Sequence, residues 1–286
     1  MSVTTPKGFT AAGVTAGIKA SGRPDLALVV NNGPDAHAAA VFTSNTFKAA
    51  PVLWSRDAVA DGRLAAVVLN SGGANACTGR DGLADARQMA EWTAQALGTD
   101  VGDVAVCSTG LIGVRLPMQK VLQGIELATQ DLSDESGPAA AEAIMTTDTV
   151  PKEADFHSPH HWSIGGMAKG AGMLAPALAT MLVVITTDAV VSPEQLDSAL
   201  RTATGFTFDR TDSDGCMSTN DTVLLLASGA SAVTADPEEF TEALTGVGHS
   251  LAMQLLADSE GSSHDIEITV AGAASEADAL AVARAI

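Results

Sequence analysis

GGMAKGAGMLAPALATMLVVITTDA, Gly165 to Ala189, is the stretch on which the reading of this chain turns. From Gly170 to Thr187 it carries no charge, as a membrane-spanning helix would, and such a helix needs about 20 predominantly apolar residues. Pro176 and the glycines break the run, however, and MLVVIT, Met181 to Thr186, has the β-branched content of a buried strand. A strand buried on both faces needs other layers around it.

Those layers are legible on either side. Ala27–Val30, Ala38–Phe42, Ala65–Leu69, Val104–Cys107, Thr222–Leu226 and Ile266–Val270 also read as strands. Helices are predicted over Asp81–Leu97, stopped by Gly98, and over Pro117–Leu127, where Met118, Val121, Leu122 and Ile125 share one face. Two further helices declare their starts. Ser192-Pro193-Glu194-Gln195 and Asp236-Pro237-Glu238-Glu239 each set a capping side chain, a proline at the first helical position and an acid or amide at the third. Interspersed strands and helices predict one α/β-type or α+β core spanning residues 1–286, with no short-period repeat and no low-complexity linker to divide it. A last helix opens on Ser275 and Asp278 and runs through Leu280 and Val282 to Ile286 without a glycine or asparagine cap. Its terminal carboxylate would sit at the negative end of the helix dipole, so the expectation is a chain truncated at its C-terminal side.

Composition narrows the function. The 286 residues are 46% hydrophobic, 17% charged and 3% aromatic with no tyrosine, a globular composition whose core must be filled by Ala, Val and Leu. Fifteen basic against 34 acidic residues give a net charge of −19, which disfavours nucleic acid and anionic membrane as partners. Cys77, Cys107 and Cys216 stand far apart without CxxC spacing, and the N-terminus has no apolar run, so a reducing cytoplasm is expected and neither a disulfide framework nor a zinc site is. His157, His160 and His161 around Pro159 read as a solvated hairpin loop before a metal site. Asp212-Ser213-Asp214-Gly215 begins like a calcium loop but lacks its closing glutamate, so it reads as a surface turn and no metal is expected.

Chemistry concentrates around the opening stretch. Lys169 stands among Gly165, Gly166, Gly170 and Gly172, glycines that would let backbone approach a ligand and expose N–H groups. The GxxxxGK[ST] order of a phosphate loop is absent. Ala179-Thr180 then stands just ahead of the buried strand. A threonine hydroxyl is a weak nucleophile without an adjacent base, and an α-amine on the same residue, with a pKa of about 8, supplies one once the chain is cut before Thr180. The plausible route is attack by the Thr180 hydroxyl on the Ala179 carbonyl, followed by hydrolysis of the resulting ester. On spacing alone, a threonine here is more often structural than catalytic.

The string MAKGAGMLAPALATML, Met167 to Leu182, resembles the self-cleaving segment of the ornithine acetyltransferase family, also called glutamate N-acetyltransferase. GFTAAGVTAGIKA (Gly8–Ala20), LNSGGANACTG (Leu69–Gly79), VCSTGLIGVRLPM (Val106–Met118), AIMTTDTVPKE (Ala143–Glu153) and STNDTV (Ser218–Val223) resemble further family motifs in the family's order. The resemblance implies two β-sheets packed between helical layers, and cleavage into Met1–Ala179 and Thr180–Ile286, whose alpha and beta fragments pair and assemble into a heterotetramer. It implies that Thr180 is the nucleophile, that Thr109 and Gly110 form the oxyanion hole, and that Thr146, Lys169, Thr180 and Glu260 contact substrate. Without it, Thr109-Gly110 is a strand-ending turn, Thr146 a turn residue before Asp148, Lys169 a solvated charge and Glu260 a helix-end acid. The implied reaction moves an acetyl group from acetylornithine to glutamate through acetyl-threonine, with acetyl-CoA as a further donor in some members and no bound cofactor or metal. The Ser262-Ser263-His264 that follows Glu260-Gly261 departs from the family's Ala-Thr-Lys, and nothing corresponds to the family's further C-terminal segment. Two rival functions are an N-terminal-threonine amidase or aminopeptidase and an inactive truncated remnant.

Overall fold

Apolar side chains alternate along nearly every strand between two different cores, which is the signature of sheets covered on both faces. The computed structural model describes residues 2–172, 181–213 and 215–286. One sheet has the order β1-β2-β4-β5, from Phe9–Val14, Leu26–Asn31, Ala66–Asn70 and Val104–Ser108. The other has the order β3-β9-β8-β7-β6, from His37–Phe42, Thr222–Ala227, Leu182–Thr187, Ser163–Lys169 and Lys152–His157. Pairing is antiparallel except for β4 with β5 and β8 with β9.

In β4, Val67 and Leu69 enter the core between the sheets, where they join Leu182 and Val184 of β8. The alternate residues Ala66 and Val68 face Met89 of α2 (Gly79–Leu97) and Val121 and Ile125 of α3 (Met118–Gln130). On the far side, Val183 and Ile185 of β8 pack on Leu196 and Leu200 of α5 (Pro193–Phe206) and on Phe240, Leu244 and Leu251 of α6 (Pro237–Ala257). The result is a helix–sheet–sheet–helix sandwich, the layered α+β fold expected from the resemblance. With each buried Leu or Val contributing about 1.5–3 kcal/mol, the two-sided strands carry much of the stability.

The remaining helices are α1 (Ala50–Ala58), α4 (Gly137–Ala143) and α7 (Glu276–Ala285). The caps fall where expected: Ser192 and Gln195 complete a capping box, Asp236 accepts from Glu238 and Glu239, and Ser275 accepts from Asp278. The His157–His161 stretch closes the β6–β7 hairpin, with the Ser158 N–H on Trp162 O. Asp212 accepts the Gly215 N–H at 2.9 Å, and Asp214 lies outside the described residues.

One strand expectation fails. Ile266–Val270 is irregular and largely exposed, with Ile266 85% accessible, because among the described residues no strand lies beside it to take its backbone hydrogen bonds. Three strands escape the periodicity, β1, β6 and β7. In β7 the cause is visible: a Cβ on Gly165 would stand 2.1 Å from Ser2 O, so the glycine admits the N-terminal arm rather than a ligand. Among the described residues, no helix is long and apolar enough to cross a membrane.

Candidate active site

Parallel β4 and β5 end side by side at Asn70 and Ser108, and the chain leaves β5 through Thr109-Gly110. Asn70 organises the exit. Its backbone oxygen accepts the Thr109 N–H at 2.9 Å, its Oδ1 accepts the Ser108 hydroxyl at 2.6 Å, and its Nδ2 donates to Gly73 O at 3.0 Å. From the other sheet's side, Asn220 Nδ2 donates to Ala74 O at 2.6 Å and Ser108 O at 2.8 Å. Gly110 has φ +127°, and a Cβ there would lie 2.8 Å from Gly73 N, so only glycine fits. Because the Thr109 N–H is spent on Asn70, the donors left to this turn are the Thr109 hydroxyl and the Gly110 N–H, which meets no acceptor among the described residues. Just below, burial pushes the Cys107 thiol up to about 12, leaving it no thiolate near neutral pH.

Lys169 ends β7 and reaches the same place. It is 2% exposed, and its Nζ donates to Thr146 Oγ1 at 2.8 Å and to Thr109 Oγ1 at 3.3 Å. Burial pulls the ammonium below the usual lysine range; Asp148, 3.8 Å away, opposes that, and Lys152 adds to it. Lys169 is thus a buried cation bonded to two hydroxyls, and the alternative of a solvated charge is overturned. Since Lys169 donates to the Thr109 oxygen, the hydroxyl hydrogen of Thr109 is left for another acceptor.

Asp148 holds this group together. It accepts the Thr146 N–H at 2.9 Å, the Gly170 N–H at 2.7 Å and Lys152 Nζ at 2.7 Å. Burial alone would raise its carboxyl, but the Lys169 charge and these hydrogen bonds win and hold it at about 2. Lys152, fully buried, donates at 2.6 Å to Asp258, the residue that caps α6, and Thr149 also bonds Asp258. Thr146 is therefore both a turn residue before Asp148 and a partner of Lys169.

Glu260 is held by its backbone, whose N–H donates to Ala171 O at 2.5 Å. Its carboxylate lies against Gly172, where an added Cβ would sit 3.5 Å from Cδ. Ala179 and Thr180 lie outside the described residues. The strands flanking them do not: Lys169 and Leu182 are register partners, so the chain leaves β7 and re-enters at β8 on one edge of the sandwich. Met181 N–H, one residue after Thr180, donates to Asp221 Oδ1 at 2.9 Å. Burial drives the Asp221 carboxyl well above the usual carboxylate range, against the Met181 amide, Ser218 and Lys169, and among the described residues its Oδ2 has no hydrogen-bond partner.

The structure thus brings Thr109, Gly110, Thr146 and Lys169 together and sets Glu260 beside the Ala171-Gly172 backbone that follows. Asn70, Asp148, Lys152, Asn220 and Asp221 fall inside the quoted motifs but were given no role there, and Asp258 falls outside them. The available signal was a set of polar residues at the ends of apolar strands, Asn70 after AVVL and Asp221 before TVLLLA.

A family profile described as the ArgJ family matches residues 10–286. The arginine biosynthesis bifunctional protein ArgJ of Streptomyces coelicolor is 62% identical over 286 residues, and that of Thermobifida fusca 60%; each alignment covers all of this chain and 74% of the relative. Among solved structures, the ornithine acetyltransferase of Mycobacterium tuberculosis complexed with ornithine is 58% identical with a TM-score of 0.61, covering 62% of this chain and 96% of that one. The ArgJ protein of Bacillus halodurans is 39% identical with a TM-score of 0.57, covering 63% and 94%. The L-aminopeptidase D-Ala-esterase/amidase of Ochrobactrum anthropi shares the fold alone, at 14% identity and a TM-score of 0.55 over 92% of this chain and 88% of that one.

Proposed function

The chain belongs to the ArgJ family and is an arginine-biosynthesis enzyme that transfers acetyl groups; on that premise we propose that Thr180 carries the acetyl group between acetylornithine and glutamate. The observation that carries this reading is the Lys169 ammonium lodged between the Thr109 and Thr146 hydroxyls. It leaves the Thr109 O–H and the Gly110 N–H as donors, the pair a tetrahedral oxyanion requires.

The nucleophile is made first. The Thr180 hydroxyl oxygen attacks the Ala179 carbonyl carbon, the Ala179–Thr180 C–N bond breaks, and the amide nitrogen leaves as the α-amine of Thr180. Water then hydrolyses the ester, leaving a carboxylate on Ala179. With a pKa of about 8, that amine takes the Thr180 hydroxyl proton in the transfer reaction. Attack on the acetyl carbonyl of acetylornithine gives an oxyanion facing Thr109 and Gly110. Its collapse expels ornithine, whose nitrogen takes the proton. The glutamate amine then attacks acetyl-Thr180 through the same oxyanion, and the hydroxyl is restored. Lys169 binds a substrate carboxylate and Glu260 a substrate amine.

Two facts support the cut. Strands β7 and β8 pair along Ile164–Lys169 and Leu182–Thr187, so breaking the connection between them leaves the sheet's hydrogen bonds intact and the fragments Met1–Ala179 and Thr180–Ile286 joined. In addition, 62% of 286 residues, about 177, aligns with nearly all of the solved ornithine acetyltransferase chain, which is close to the length of the first fragment. We extend the proposal to a cytoplasmic heterotetramer of two such pairs that needs no bound cofactor. The test is incubation with acetyl-labelled acetylornithine, with and without glutamate. Label on the Thr180 peptide without glutamate, and in acetylglutamate with it, is expected. Release of free acetate at the same rate in both would make the protein an amidase instead.

A further inference from the structure

The chain has 34 acidic and 15 basic residues, so a half-buried cation without a carboxylate partner stands out. Lys19 is such a group. Its Nζ donates to Met145 O at 2.6 Å and Pro24 O at 2.8 Å, and among the described residues it forms no ion pair. The nearby carboxylate is otherwise engaged: Asp25, fully buried, accepts the Ala16 N–H at 2.7 Å and the Lys19 backbone N–H at 2.8 Å. Burial lowers the Lys19 pKa, Asp25 opposes this, and Arg23 and Lys169 add to it. An ammonium has three N–H groups, so one of Lys19's remains.

Its position relates it to the proposed site. Met145 O holds Lys19, and the hydroxyl of the next residue, Thr146, holds Lys169. The two ammoniums therefore flank one peptide linkage and lie within roughly 10 Å of each other. The Lys19 loop also touches the oxyanion turn through two glycines. A Cβ on Gly72 would lie 2.2 Å from Ile18 Cγ2, and one on Gly110 would lie 3.0 Å from Gly72 C.

We infer that Lys19 is the specificity-determining cation for the acceptor and binds the side-chain carboxylate of glutamate. The inference rests on the acetyl-transfer reading and adds what selects the acceptor. Glutamate brings two carboxylates and one amine; Lys19, Lys169 and Glu260 supply two cations and one anion. An extended glutamate holds its carboxylates roughly 5 Å apart, so with two hydrogen bonds of about 2.8 Å it reaches between ammoniums up to roughly 10 Å apart, and a bent one spans less.

The test is calorimetric titration of the full chain with glutamate and with glutamine, its uncharged isostere, in the unsubstituted protein, Lys19→Met and Lys19→Arg, with melting temperatures alongside. The unsubstituted protein is expected to favour glutamate about tenfold. Lys19→Met removes that preference while keeping glutamine affinity within about twofold, and Lys19→Arg restores most of it. A preference that survives in Lys19→Met overturns the assignment, as does equal loss of both ligands with a fallen melting temperature, which would make Lys19 a strut between Met145 and Pro24. Binding of ornithine without glutamate overturns it too and leaves the donor half of the reaction standing. Failure to bind ornithine, glutamate or glutamine overturns the acetyl-transfer site itself, and this assignment with it.

Discussion

Asp148→Asn perturbs the group on which the proposed site rests, and the cost follows from who donates to whom. One carboxylate oxygen of Asp148 accepts from Lys152 Nζ and the Gly170 N–H, the other from the Thr146 N–H and, at 3.5 Å, its hydroxyl. An amide must place its NH2 against one of these donor sets, so a hydrogen bond becomes a donor–donor contact. Among the described residues, Lys152 then keeps only Asp258 as its charge partner. Removing one member of a buried ion pair costs about 3–5 kcal/mol, which is a large part of the 5–15 kcal/mol typical of a domain. The pH dependence gives an independent handle. The folded carboxyl sits at about 2 against an ordinary value of 3.8. A depressed carboxyl stabilises the fold above its unfolded pKa, and that contribution, roughly 2 kcal/mol, is lost as pH falls from about 4 through 2. Urea unfolding from pH 7 down to pH 2 should therefore show the substituted protein about 3–5 kcal/mol less stable at pH 7, with the gap narrowing by roughly 2 kcal/mol in acid. A loss below 1 kcal/mol at pH 7, or a constant gap down to pH 2, would refute the placement of Asp148 at the centre of this network.

Other predictions follow from single contacts. Thr109→Val keeps the backbone bond to Asn70 and removes the hydroxyl donor, so kcat should fall about 10²–10³-fold with little change in KM, read by steady-state acetyl transfer. Gly110→Ala places a methyl 2.8 Å from Gly73 N in a left-handed backbone region, and should lower both kcat and melting temperature, by about 1–3 kcal/mol in stability. In the proposed reaction Lys169 holds a carboxylate only while charged, and its pKa lies below the usual lysine range. The KM for glutamate should therefore rise with pH before ordinary lysines titrate, and Lys169→Arg should abolish that rise. Asp221→Asn can keep an oxygen on the Met181 N–H while replacing a buried, unpartnered Oδ2, so thermal unfolding should show equal or greater stability, whereas Asp221→Ala should lose about 1–3 kcal/mol.

Much of the sandwich was written in local pattern. MLVVIT and TVLLLA are apolar on both faces because helices and a second sheet cover them, and apolar runs of that length have few other homes. β7 hid because SIGGMAK trades side-chain pattern for close approach to Ser2, and Ile266–Val270 misled because alternation marks a strand only when a neighbour accepts its hydrogen bonds. At the candidate site, motifs pointed to Thr109, Gly110, Thr146 and Lys169, which the structure brings together, and to Glu260 beside Gly172. The residues that hold them were not legible. Lys152 and Asp258 are 106 positions apart, and Asn220 stands 112 from the Ser108 it supports. Such pairs are made by topology, and no local spacing announces them.

Self-cleavage before Thr180 is the step on which the proposed reaction depends, and intact mass under denaturing conditions, measured beside Thr180→Ala, addresses it directly. Two fragments meeting at Ala179 and Thr180 are expected in the unsubstituted protein and one uncut mass in Thr180→Ala. One uncut mass in both, or cleavage that persists in Thr180→Ala, would contradict it.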